Sequence, residues 1–425
     1  MKRANYYLLT LGCPKNEVDS QGMERLLQEA GYASVDNPSA ARFLIVNTCG
    51  FIDVAKEESI EALRKLAEIK QPEQFLIAAG CLSQRYGRKL IEEVPALDGV
   101  IGTRRWMKIV TLLEKLSAGE SAVMVGNPPS SSADRAHRFV VKGASAYLEI
   151  AEGCSASCAF CAIPLIKGPA CSRPAEAVVE DTRRLASQGI KEVILIAQDT
   201  TAYGWDRGER DGLASLIERI PAAAPELRWL RIMYAYPQHI TPRLIEVMAS
   251  HPQICHYLDM PLQHAHPDVL RRMNRPSNVE GVRQLIERLR KAMPDIALRT
   301  SFIVGYPGET DEESETLLDF VQEMAFDKMG AFTYSREEGT PAAELPHQIS
   351  EEVKRQRYNR LMSVQRSISL AKNKTQMGRT LDVLIEGRGD GLSVGRSYRD
   401  APEIDGLVLV EGELTPGEMV PVRIT

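Results

Sequence analysis

Short apolar runs alternate with amphipathic stretches along the first 117 residues. Tyr6, Tyr7, Leu8, Leu9 and Leu11 make a buried-strand pattern. Met23, Leu26, Leu27 and Ala30 then recur at the i, i+3, i+4, i+7 spacing of one helical face, and Gly31 stands where such a helix stops. Residues 43–47 and 75–79 read as further strands, and 55–69 and 86–93 as helices. Repeated βα units of this size predict an α/β domain on a doubly wound parallel sheet.

The pattern breaks after residue 118, where Gly119, Gly126 and Pro128-Pro129-Ser130-Ser131-Ser132 read as a linker, extended or disordered in part. A second βα series follows, with strands expected at 147–151, 192–197, 229–234, 256–260, 298–304 and 330–334. One intervening helix carries Val282, Leu285, Ile286 and Leu289 on a single face. Another starts at the capping-box pattern Thr310-Asp311-Glu312-Glu313 and carries Leu317, Leu318, Val321 and Met324. Six βα units in about 190 residues predict an open, partial barrel, since a full eight-unit barrel takes about 250. A long charged helix runs from Ser350 to about residue 374. Short strands at 381–385, 392–394, 407–410 and 420–424 then read as a small β-barrel. The expected division is 4–118, linker 119–139, 140–372 and 373–425.

Composition narrows the function classes. The 425 residues carry 52 basic and 57 acidic side chains, a net charge of −5, which gives no global pull towards nucleic acid. No segment approaches the roughly 20 apolar residues of a membrane helix. Met1-Lys2-Arg3-Ala4-Asn5 runs into a strand without a cleavage pattern, so the sequence predicts a cytoplasmic protein with no membrane association. Eight cysteines in that setting argue for metal or catalysis rather than disulfides.

Those cysteines fall in two sets. Cys154, Cys158 and Cys161 follow the first strand of the second series, with three and then two residues between them. A 4Fe–4S cluster takes four thiolates, so three in one loop leave one iron open to a small molecule. Zinc competes, but structural zinc sites usually need two ligand pairs, and no second pair follows. Cys13, Cys49 and Cys81 each come just past the carboxyl end of a strand, beside Gly12, Gly50 and Gly80. Open parallel sheets gather ligands at that edge. The spacing favours a second three-cysteine cluster over core packing, which stays as the alternative. Cys171 and Cys255 read as structural. His239, His251, His256, His264 and His266 share one region without metal-ligand spacing, and His264 with Asp259 are candidates for substrate positioning. Gln198 and Asp199 end a barrel strand and are candidates for cofactor or substrate contact.

With Phe160 just before its last cysteine, the Cys154–Cys161 loop resembles the signature of the radical S-adenosylmethionine (AdoMet) enzymes. The resemblance implies AdoMet chelated at the open iron and cleaved on reduction to a 5′-deoxyadenosyl radical. It also implies a segment near the adenine at Ser301-Phe302-Ile303-Val304-Gly305-Tyr306-Pro307-Gly308-Glu309, with Ser301, Gly305 and Gly308 as contacts. A three-cysteine α/β domain, a radical AdoMet barrel and a small TRAM-like barrel together resemble the methylthiotransferases over nearly the entire chain. That likeness implies two 4Fe–4S clusters, with Cys13, Cys49 and Cys81 holding the one that takes part in sulfur insertion, and an external electron donor.

Leu11-Gly12-Cys13-Pro14-Lys15-Asn16, Val46-Asn47-Thr48-Cys49-Gly50 and Ala197-Gln198-Asp199-Thr200-Thr201 are similar to the branch that modifies an aspartate β-carbon of a ribosomal small-subunit protein. The tRNA-modifying branch usually reads Gly-Gln-Asn-Val in the last of these. From Lys374 to Thr425 there are six basic and nine acidic residues, a difference of −3. That suits a basic protein partner better than RNA. The competing readings are a tRNA-adenosine methylthiotransferase and a non-catalytic iron–sulfur scaffold or electron carrier.

Overall fold

The first apolar runs become a six-stranded sheet of β1 (Asn5–Thr10), β2 (Ala33–Ser34), β3 (Phe43–Thr48), β4 (Phe75–Gly80), β5 (Gly99–Gly102) and β6 (Ala122–Met124). Its order is β2-β1-β3-β4-β5-β6, and every neighbouring pair is parallel. The computed structural model describes residues 4–126 and 138–425, so Pro128 to Ser132 of the expected linker lie outside the described residues. Residues 122–124, also within that stretch, form the last strand of the sheet. The chain falls into two units, one of Met1–Val140, Glu152–Ala156 and Cys161–Arg173, the other of Val141–Ala151, Ser157–Phe160 and Pro174–Thr425.

In the first unit, helices α1 (Pro14–Glu29), α2 (Asp53–Ile69), α3 (Cys81–Tyr86), α4 (Arg88–Glu93) and α5 (Ile109–Ser117) cover both sheet faces, and a short α6 (Ile163–Lys167) belongs to the same unit. Alternation along the strands sorts the core. Tyr6, Phe43, Ile45, Ile77 and Ile101 pack with Met23 and Leu27 of α1 and with Leu112 of α5. Leu44, Val46, Leu76, Ala78 and Val100 pack on the opposite face with Ile60 and Leu63 of α2, Leu82 of α3 and Leu90 of α4.

A seven-stranded sheet follows, of β7 (Phe139–Lys142), β8 (Ser145–Glu149), β9 (Glu192–Ile196), β10 (Trp229–Ile232), β11 (Ile254–Asp259), β12 (Ala297–Val304) and β13 (Lys328–Thr333), ordered β13-β12-β11-β10-β9-β8-β7. The six strands from β8 to β13 are parallel, as their sequence pattern predicts, and β7 adds an edge. Helices α7 (Ala175–Ser187), α8 (Gly212–Ala223), α9 (Pro242–Ser250), α10 (Pro267–Arg272), α11 (Val279–Ala292) and α12 (Asp311–Met324) lie between strands, and α13 (Glu351–Lys374) follows the last. The capping box forms: Glu313 N donates to Thr310 Oγ1 at 3.2 Å, and Thr310 N to Glu313 Oε2 at 2.9 Å. The last four strands, β14 (Thr380–Gly389), β15 (Leu392–Ser397), β16 (Val408–Glu411) and β17 (Met419–Arg423), form a curled antiparallel sheet of the small-barrel kind, ordered β16-β15-β14-β17.

Within the second unit, residues 396–405 are pinned to the amino-terminal ends of the parallel strands. Glu192, at the start of β9, accepts from Arg231 Nε at 2.7 Å and from Arg396 Nη2 at 2.6 Å, and all three side chains are fully buried. Burial pushes the Glu192 carboxyl up, but Arg231 and Arg396 prevail and hold it down to about 2. Arg399 to Asp327 at 2.6 Å, Lys328 to Asp400 at 2.6 Å and Tyr257 Oη to Asp405 at 2.7 Å add further pins. Removing one member of a buried pair strands the other charge at a cost of about 3–5 kcal/mol. Arg396→Met should therefore lower the denaturant midpoint by that equivalent. Because the folded Glu192 value lies below an ordinary glutamate's 4.5, its contribution is complete above that value and is lost as pH falls towards about 2. The acid-side decline in stability should be shallower in Glu192→Gln than in the parent; equal slopes would refute the assignment.

Candidate cluster sites

Strand order reverses between β1 and β3, and at such a switch point ligands collect outside the carboxyl ends of the strands. Cys13 stands directly before α1, Cys49 directly after β3, and Cys81 opens α3 directly after β4. The three thiols are close enough for Cys13 and Cys49 to raise the Cys81 value electrostatically. The Cys81 residue keeps some exposure, yet its sulfur is deep enough that burial pushes the thiol up to about 12, against the pull of Lys167. Burial also raises the Cys49 thiol. Gly12 has φ +95°, and a Cβ there would meet Cys49 Cβ at 2.8 Å and Sγ at 3.0 Å. Only glycine lets these two loops cross so closely.

Buried amides hold the loops. Asn16 Nδ2 donates to the carbonyls of Leu11 (2.6 Å) and Asn47 (3.2 Å), while Asn47 Nδ2 donates to Asn16 O and to Ser20 Oγ, each at 2.8 Å. Ser59 of α2 both accepts from Cys49 N and donates to Cys49 O, each at 2.9 Å.

Of the other set, Cys154 and Cys161 lie in the first unit and Cys158 in the second. Cys154 N donates to Gly168 O at 2.9 Å. Gly153, at φ +77°, leaves only 2.2 Å between an added Cβ and Pro169 O. Arg104, after β5, donates to the carbonyls of Ile166, Pro164 and Leu165 at 2.8, 3.2 and 3.3 Å, capping α6. Lys167 Nζ reaches Asp19 Oδ2 at 2.8 Å, Thr103 Oγ1 at 2.5 Å and Glu152 Oε1 at 3.2 Å. Arg138 bridges the same two carboxylates, at 3.1 Å to Asp19 and 3.2 Å to Glu152. Both flanks of the cysteine loop are thus tied to one buried charge cluster in the first unit.

In the second unit, Ala159 N donates to Met273 O at 2.9 Å and Ala342 N to Ala159 O at 2.8 Å. Phe160 packs against a cluster of Ala159, Val269, Met273, Tyr306, Tyr334 and Ala342. Arg275 Nη1 lies 3.6 Å from Cys158 Sγ. Gln198 is half-buried. Asp199 is committed: its Oδ1 accepts from Thr201 Oγ1 at 2.6 Å and Ala202 N at 3.1 Å, and its Oδ2 is 2.7 Å from His239 Nδ1. Ser301 O accepts from Gln263 N at 2.8 Å. Gly305 and Gly308 have φ near +70°, at +73° and +72°; a Cβ on Gly305 would strike Lys354 Cγ at 2.3 Å, whereas Gly308 faces open space.

Two candidates from the sequence are internal supports. Asp259 is fully buried, paired with Arg299 at 2.8 Å. His264 is 2% exposed, and burial drives its ring down to about 3, so it is neutral and its 4.0 Å approach to Glu309 is no ion pair. Cys255 is buried, its thiol pushed up to about 12 by burial, as befits a core residue.

The donor chemistry suits iron–sulfur clusters. A single tetrahedral zinc, with Zn–S near 2.3 Å, draws its sulfurs to about 3.8 Å apart. Among the described residues, His266, Asp268 and Glu313 alone bring three candidate ligand atoms within 4.8 Å of one another. Cys13, Cys49 and Cys81 are not drawn so tight, so that set does not have the spacing of a single zinc site. In that group of His266, Asp268 and Glu313, Arg272 already grips Glu313 at 3.0 and 2.7 Å.

Three family models match in turn: the uncharacterized protein family UPF0004 over residues 5–102, the radical SAM superfamily over 148–321 and the TRAM domain over 377–425. The chain is 14% identical to the radical S-adenosylmethionine methyltransferase TsrM of Kitasatospora setae, with a TM-score of 0.61 over 86% of this chain and 89% of that one, a likeness of fold alone. These define a radical AdoMet protein with a TRAM domain. It is 46% identical to the ribosomal protein uS12 methylthiotransferase RimO of Roseiflexus sp. (strain RS-1), over 99% of this chain and 94% of that one. It is 47% identical to that of Chloroflexus aurantiacus, over 99% and 97%. The chain belongs to the RimO family of methylthiotransferases, whose cofactors are AdoMet and 4Fe–4S clusters.

Asp19→Ala removes the shared acceptor of Lys167, Thr103 and Arg138, and should cost about 3–5 kcal/mol, read as a lowered unfolding midpoint. Gly12→Ala should cost about 1–3 kcal/mol through its positive φ and displace Cys49. Iron content per chain should fall in Gly12→Ala and stay at the parent level in Gly189→Ala, a positive-φ glycine with open space around it.

Proposed function

We propose that this chain is a radical AdoMet methylthiotransferase acting on ribosomal protein uS12, and that it replaces a hydrogen on the β-carbon of an aspartate of that protein with a methylthio group. The observation that carries the reading is the full-length match to uS12 methylthiotransferases, in a chain with two separate three-cysteine sets at strand ends. Cys154, Cys158 and Cys161 hold one 4Fe–4S cluster, and Cys13, Cys49 and Cys81 hold the other. When bound, these groups and AdoMet supply a 5′-deoxyadenosyl radical and the sulfur for insertion.

The chain's own residues bind and orient. Phe160 walls the loop through its apolar neighbours, Ser301 and Gly305 shape the strand end for the adenine, and Gly308 leaves room beside it. Gln198 contacts AdoMet or substrate, while Asp199 holds His239 and the local turn in place. An external low-potential electron donor completes the system, and a ribosomal-protein substrate sets the work in the cytoplasm.

Charge supports the protein substrate. In the last domain Arg396 and Arg399 are buried in ion pairs. That leaves Lys374, Arg379, Arg388 and Arg423 exposed against Asp382, Glu386, Asp390, Glu403, Glu411, Glu413 and Glu418, of which Asp382, Glu386 and Glu403 are paired with Arg228, Arg396 and Lys142. The exposed side chains of this domain carry no excess of positive charge, which phosphate contacts would require.

Mass spectrometry of uS12 and of tRNA, after incubation with reduced enzyme and AdoMet, tests the reading. A methylthio group should appear on an aspartate of uS12; its appearance on tRNA alone would refute the substrate. Iron analysis should give about eight irons per chain, falling to about four in either triple cysteine-to-alanine variant.

A further inference from the structure

Arg275 follows the turn that ends α10, outside both cysteine sets. Its Nη1 lies 3.6 Å from Cys158 Sγ, and its Nη2 donates to Pro261 O at 2.9 Å. The guanidinium carbon sits 4.3 Å from the centre of the Tyr236 ring. Tyr236 stacks on His239 with centroids 4.8 Å apart, and His239 is held by Asp199 at 2.7 Å. The preceding residue, Asn274, has φ +53° and donates through Nδ2 to Ser157 O at 2.7 Å and Ser157 Oγ at 2.9 Å. The cation is therefore fixed from three sides, with one N–H aimed at sulfur.

We propose that Arg275 is a positioning residue that raises the reduction potential of the cluster ligated by Cys158, an inference resting on the assignment of Cys154, Cys158 and Cys161 as its ligands. Reduction transfers one electron from an external one-electron donor to the cluster and makes no covalent bond. It adds one negative charge, and a fixed cation hydrogen-bonded to a ligand sulfur stabilises the more negative state more. The site is half-buried, so water screens only part of that difference. Asp199 acts on the cluster only at a distance, through His239, Tyr236 and the orientation of Arg275.

The test is a redox titration of the full-length, two-cluster enzyme with dithionite and mediators. It is followed by electron paramagnetic resonance on the signal that changes when AdoMet is added. Arg275→Met should keep its iron and lose at least tenfold in the reduction equilibrium, a downward shift of about 59 mV for one electron; Arg275→Lys should fall between it and the parent. An unchanged potential in Arg275→Met overturns the proposal. If that variant loses iron, Arg275→Gln takes its place, and a parental potential there overturns it equally. Full iron in the Cys154, Cys158 and Cys161 triple-alanine variant would instead remove the ligand assignment itself.

Discussion

The cysteine edge of the first unit depends on one buried carboxylate. Asp19 is 1% exposed, and a carboxylate so dehydrated is tolerable only when surrounded by donors. Its donors come from three places in the chain: Thr103 after β5, Arg138 before β7, and Lys167 at the end of α6. Neither cation could stay buried there without it, since Glu152 alone would face two positive charges. Packing by apolar contact would tolerate sliding by fractions of an ångström. A carboxylate shared among three directional donors fixes one register between the sheet and the loop flanks.

Much of this was legible in the residues. The parallel strands followed from apolar run length, and the two cysteine sets from spacing and placement at strand ends. The short strands were less visible. Gly99-Val100-Ile101-Gly102 is too brief and glycine-bounded to declare itself, and Ala122-Val123-Met124 sits among linker-like residues. The supporting polar groups left a faint signal in α1: Asn16, Asp19, Ser20 and Met23 share a helical face and all are buried. A polar group on an otherwise apolar stripe marks a buried network, though its partners stay hidden because they are 84 to 148 residues away for Asp19. His264 and Asp259 misled for the converse reason. They are polar residues beside a strand end that point inward.

The second unit carries backbone strain beyond the carboxyl ends of two of its strands, β10 and β11. Tyr234 has φ +62° and Gln263 φ +71°, conformations costly for side chains of this size. Each is clamped by backbone bonds: Thr200 N donates to Tyr234 O at 3.0 Å, and Gln263 bridges Ser301 and Ile303 at 2.8 Å on both sides. The strained residues stand beside Asp199, Tyr236 and Ser301, so the geometry of these strand ends is held by backbone that would relax if its neighbours let go.

The charged floor of the parallel strands has a consequence for how the protein is made. Glu192 and Ser145 meet Arg396 across 204 and 251 residues of sequence. A chain synthesised from its amino terminus exposes the β9 carboxylate long before that arginine leaves the ribosome. Until then Glu192 has Arg231 alone, and the strand ends lack their cover. The domain that carries Arg396 thus emerges after the sheet that it completes. An enzyme whose relatives modify a ribosomal protein completes this sheet only after Arg396 has left the ribosome.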